Sequence, residues 1–185
     1  MEDDFANKIE NIKNAFYQKQ SKNIFFTSKQ KLNLANKVSN SLNLEDLINK
    51  TVYVIHDTNK VYLDYTIFKL FANPSNYEIL VTYIVQLFSI CIEKYNYFEV
   101  HINLESFSVS ACHRYKEVIE NFMNECMKHD TIFTEKITTM HIYNIPHVFE
   151  SIQKILSPLI HETVKKKIEL HNKIEGPAMI TALLS

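Results

Sequence analysis

A chain of 185 residues, 46% hydrophobic and 22% charged, is long enough to bury a substantial core as one domain and too apolar to be disordered. A formal net charge of −1 and a single arginine, Arg114, among twenty basic residues exclude the clustered cationic surface that nucleic acid requires. One glycine, Gly176, excludes phosphate-cradling loops, dinucleotide fingerprints and the hydrolase nucleophile elbow, all of which need glycine where backbone approaches a ligand or turns with positive φ.

Phe5, Ile9, Ile12 and Phe16 recur at helical spacing, and acidic residues lead this stripe while Lys19 and Lys22 close it, as the helix dipole favours. Further helices are predicted over Lys29 to Ser39 and Leu44 to Asn49, so residues 1–49 read as a helical segment packed on the sheet. Thr51 to Ile55 is a β-branched and aromatic run, and Val61, Leu63 and Tyr65 alternate after the Asp57–Lys60 turn, giving two strands. Ser75 and Glu78 have capping-box spacing and open a helix whose polar positions, Thr82, Gln86, Ser89 and Glu93, form one narrow stripe. Such a helix must be buried on most sides. Phe98 to Leu104 is a strand, and Ala111, Tyr115, Val118, Ile119, Phe122 and Cys126 mark one long amphipathic helix. Thr138 to Ile145 is a further strand. Pro146, harmless where an N–H has no partner, is expected to start a helix carrying Val148, Ile152, Ile155 and Leu159, which Pro158 stops. A lysine-rich turn then enters Ile168-Glu169-Leu170. Alternation of helix and strand implies crossover connections and a largely parallel sheet flanked by helices, an α/β class. The domain spans 50–171, and an apolar tail, 172–185, closes the domain's own core or docks on a neighbour.

Three cysteines, Cys91, Cys112 and Cys126, without paired spacing suggest reduced thiols and a cytoplasmic protein. The acidic start lacks the layout of a signal peptide, and Ile79 to Ile92 is too short for a membrane span. None of the eight histidines pairs as His-x-x-x-His and no Cys-x-x-Cys occurs, so no metal ligand set is predicted. Cys112 and His113 are adjacent on a helix and point apart. No catalytic residue emerges, and the chain is read as no enzyme.

The order of a strand, Asn144-x-Pro146-x-x-Phe149, a helix, Ser157-Pro158-Leu159-Ile160, a turn from Thr163 and a last strand at Ile168 resembles the CRAL-TRIO domain. That is the lipid-binding fold of retinaldehyde-binding and phosphatidylinositol-transfer proteins. Phe98 to Ser110 is similar to the family's strand ending in Asp-Leu-x-Gly. The departures are Asn103 for Asp, Ser106 for Gly, Thr134 for Pro and one extra lysine before Ile168. The resemblance implies a pocket floored by the sheet and gated by residues 147–156, with Pro146, Val148, Phe149, Ile152 and Ile155 as gate and wall. It implies a phospholipid or other hydrophobic small molecule as ligand, engaged transiently and peripherally at membranes, with no cofactor beyond a bound lipid. Headgroup contacts carried over from the phosphatidylinositol-transfer members fall on Ser108, Ser110, Glu135, Thr163, Lys166 and Lys167. Residue by residue, plainer roles compete: Lys165 to Lys167 as a solvated charge run, Ser110 as a helix cap, Glu135 facing water, Val148 to Ile155 as core. The alternative function is a protein-interaction or structural module with a closed pocket, like the BCH branch that binds small GTPases or a component of a virus particle.

Overall fold

The computed structural model describes residues 2–19, 27–128 and 132–185. Helices α1 (Glu2–Lys19), α2 (Thr27–Ser41) and α3 (Leu44–Thr51) come first, and α3 runs directly into β1 (Val52–Val54). The expected stripe on α1 is inward, with Ile9 and Phe16 buried and Phe5 and Ile12 packed beside them; Lys22 lies outside the described residues. Val38, Leu47 and Ile48 belong to the same core as Phe68 and Phe88, so the helical segment shares its hydrophobic centre with the sheet.

A hairpin with a left-handed residue at Asp57 (φ 55°) turns β1 antiparallel onto β2 (Lys60–Asp64). Tyr65 does not extend that strand. Asp64 Oδ1 accepts hydrogen bonds from the Thr66 N–H at 2.7 Å and the Thr66 hydroxyl at 2.6 Å, capping a helix that alternation hid, α4 (Tyr65–Phe71). The expected capping box before α5 (Tyr77–Tyr95) does not form. The Ser75 hydroxyl instead donates to Asn73 Oδ1, and Asn76 Oδ1 accepts from the Asn73 N–H at 3.0 Å. Along α5, Leu80, Val81, Leu87, Phe88 and Cys91 are buried, while Ile79 and Ile90 remain about half exposed.

After β3 (Phe98–Asn103) the single long helix expected is two, α6 (Val109–Arg114) and α7 (Lys116–Lys128). The break falls at Tyr115 (φ −104°, ψ 11°), whose ring turns inward against Phe68, with centroids 5.1 Å apart. A short α8 (Ile132–Lys136) enters β4 (Ile137–Tyr143). Pro146 precedes the next helix rather than starting it: its carbonyl accepts from the Phe149 N–H at 3.0 Å in a turn, and α9 covers Phe149–Leu156. Pro158 sits inside a 3-10 turn, Ser157–Leu159, that prolongs α9 instead of stopping it. The chain ends with α10 (Glu162–Lys165), β5 (Ile168–Leu170) and α11 (Gly176–Leu184). The apolar tail packs on its own chain beside β4, with Met179 and Leu184 still partly exposed.

The strands lie in the order β1-β2-β3-β4-β5, parallel from β2 onward. Each parallel strand sits beside its predecessor, so right-handed crossovers bring every connecting helix to the same face. The two faces differ accordingly. Val61, Leu63, Val100, Ile102, Met140 and Ile142 point to the helices, and the intervening residues Tyr62, His101, His141 and Tyr143 point away from them.

Candidate functional site

Between the sheet and the helices lies a cavity of about 220 Å³. Its floor is the six aliphatic and methionine side chains just named; Phe68 of α4, Ile84 and Phe88 of α5, and Ile119, Phe122 and Met123 of α7 form the walls. Only Tyr65 and Tyr115 among the lining residues carry a polar side-chain atom, and burial raises the pKa of both phenols, so they stay neutral. A second space of about 50 Å³ shares Phe88, Val100, Phe122, Met123 and Met140 with the first and continues toward Phe133, Leu159 and Val164. The thiols near this core, Cys91, Cys112 and Cys126, are free and buried; burial pushes the Cys126 thiol up to about 12. They are packing groups, not nucleophiles.

The segment expected to gate the cavity, residues 147–156, contributes only Leu156, and Ile160 lines it just beyond that segment. Pro146, Val148, Phe149, Ile152 and Ile155 do not line it. Ile152 is 1% exposed, in the core where α9 packs on α6, and Val148 is half exposed. Of the residues picked out by helical spacing, only Ile152 is fully buried on α9, and the space itself opens one turn later, around the 3-10 turn.

The six headgroup candidates split into two groups. Ser108 and Ser110 follow the C-terminal end of β3, whereas Glu135, Thr163, Lys166 and Lys167 cluster at the N-terminal end of β4. Seven residues of β4 separate these ends by roughly 20 Å. Ser108 Oγ accepts from the Ala111 N–H at 3.2 Å and caps α6, the part expected of Ser110. Ser110, within the first turn, lies 3.5 Å from Arg114 Nη2. Lys167 Nζ donates to the carbonyls of Thr134 at 3.0 Å, Glu135 at 3.2 Å and Ile137 at 2.5 Å. Thr163 and Lys166 are exposed on α10 and just beyond it.

This gives neighbouring lysines unequal roles. Lys167→Ala should cost about 1.5–3 kcal/mol, because charged hydrogen bonds to carbonyls at the end of α8 are lost, while Lys166→Ala stays within about 0.5 kcal/mol. Urea unfolding of the two single variants separates them; equal stability would show that the α8 carbonyls do not need the ammonium.

The model of the CRAL/TRIO domain matches residues 50–181. The chain belongs to the CRAL/TRIO family. Members of the CRAL/TRIO family bind lipids or other hydrophobic small molecules. Among solved structures the crystal structure of Sfh5 is similar, with a TM-score of 0.53 at 13% sequence identity, covering 78% of this chain and 56% of that one. The chain thus spans just over half the length of that structure, and the likeness is one of fold. No curated protein matches the sequence. At two departures from the family pattern, Asn103 Oδ1 accepts from the Glu105 N–H at 3.0 Å and from Asn144 Nδ2 at 2.8 Å, and Ser106 holds a left-handed φ of 64°. Among the described residues no helix is long and apolar enough to cross a membrane.

Proposed function

We propose that the chain is a non-enzymatic carrier that shelters the hydrocarbon part of a phospholipid, or of a comparable hydrophobic molecule, in the cavity above the sheet. The observation that carries this reading is an apolar space left open where a closed interaction module would have packed side chains. Removing apolar surface from water stabilises a bound chain by about 0.8 kcal/mol per methylene, and the lining offers almost no polar atom to oppose it. Size decides what moves. A cavity of about 220 Å³ exceeds one of about 150 Å³ that holds benzene but falls below the roughly 300–1,000 Å³ of drug-sized pockets. A two-chain lipid therefore requires the outer wall, residues 147–160, to swing away, with Leu156 and Ile160 as its contacting edge and Pro146 and Pro158 stiffening the backbone on either side of α9.

Native mass spectrometry of the purified protein, followed by extraction, tests the reading. One co-purifying lipid per chain is expected, or stoichiometric uptake of a phospholipid from vesicles. A protein that is empty and stays empty with both phosphatidylcholine and phosphatidylinositol vesicles would exclude the carrier function.

A further inference from the structure

The sheet face turned away from the helices carries a row of rings that the cavity does not use. His101, His141 and Tyr143, with His171 just past β5, lie in near-parallel planes inclined by 8° to 22°. Strand register assembles them: His101 pairs with His141, and His141 with Glu169. His141 Nδ1 lies 3.1 Å from His171 Nε2 and 3.3 Å from Glu169 Oε2. Donor atoms bound tetrahedrally to zinc at about 2.05 Å stand about 3.3 Å apart, so these separations are close to the edges of such a site. Glu99, His101 and His141 likewise each place a ligand atom within 4.8 Å of the other two.

Several features favour an ion over a plain row of hydrogen-bonded imidazoles. Two carboxylates, Glu99 and Glu169, converge on His141, which an imidazole row does not require. His101 is 3% exposed, and its Nε2 makes no hydrogen bond, standing 3.4 Å from Glu99 Oε2. Glu175 Oε1 lies 4.0 Å from His171 Nδ1, the ring nitrogen not turned toward His141. Entry is open, because the Glu169 side chain is 58% exposed.

We propose that His141, Glu169 and His171 bind one divalent transition-metal ion of the zinc class, with Glu99 and His101 flanking the site. Two imidazoles and a carboxylate leave a fourth position for water, and the mixed nitrogen and oxygen set suits zinc better than calcium or magnesium.

The test uses the untagged full chain, stripped with a chelator and titrated with zinc chloride alone. One equivalent should bind, and cobalt(II) in its place should give the visible absorption of a four-coordinate centre. Either H141A or H171A should weaken binding by at least about tenfold, with the exposed-histidine variant H113A unchanged. Should those variants unfold, the histidine resonances of the wild-type protein decide: zinc must shift the rings of His141 and His171. Absence of a stoichiometric site, or zinc-induced shifts confined to other histidines, overturns the proposal.

Discussion

Ile102→Trp should weaken lipid uptake about fiftyfold while leaving the protein folded. Ile102 sits on the cavity floor near the middle of the sheet, so an indole there projects into the space a hydrocarbon chain would occupy. Displacing even three methylenes, at about 0.8 kcal/mol each, removes roughly 2.4 kcal/mol of binding, a loss of about fiftyfold in affinity. Stability moves much less, because added bulk enters an existing space instead of a close-packed one; a change within about 1.5 kcal/mol is expected. Ile174→Trp, at a side chain 93% exposed, supplies the same indole outside the cavity and should bind as the parent does. Fluorescent phospholipid transfer from vesicles, read alongside thermal unfolding, distinguishes the outcomes. If both tryptophan variants take up lipid equally, the ligand does not use this space.

The sheet was readable in the sequence because alternation along β2, β3 and the end of β4 puts Val61, Leu63, Val100, Ile102, Met140 and Ile142 on the helix-facing side. Local competition among polar side chains was harder to read. Asp64 and Thr66 turned an apparent strand into the start of α4, and the Ser75 hydroxyl is spent on Asn73 instead of on an N–H of α5. Those contests are decided by about 1 kcal/mol each, below what spacing resolves. The cavity itself could not be located from spacing, since an apolar residue facing a void and one facing a packed core carry the same pattern. Ile152 was the core residue and Leu156, four positions on, the lining one. The histidine row was hidden for a different reason. His101, His141 and His171 meet only because parallel strands align them across separations of 30 residues or more, so no ligand-spacing rule applies within any one segment.

Asn144 should be a polar position sensitive to substitution. It holds a left-handed backbone with φ 57°, donates through Nδ2 to Asn103 Oδ1 at 2.8 Å, and is 4% exposed. Asparagine tolerates that backbone better than other residues with a Cβ, and its amide ties the end of β4 to the end of β3. Asn144→Ala loses the hydrogen bond and adds backbone strain, for an expected cost of about 2–4 kcal/mol. Asn144→Gly loses only the bond, and about 1–2 kcal/mol is expected. Gly176 extends the argument to the tail, because a Cβ built there would lie 2.5 Å from Asn144 Oδ1 and 3.0 Å from the Asn144 nitrogen. Gly176→Ala should therefore destabilise the parent strongly but cost less in the Asn144→Gly background, where the opposing side chain is gone. Denaturant midpoints of the four proteins in this cycle measure the coupling. Additive costs would mean that α11 can shift away from β4 and that the Asn-x-Pro turn does not hold the tail.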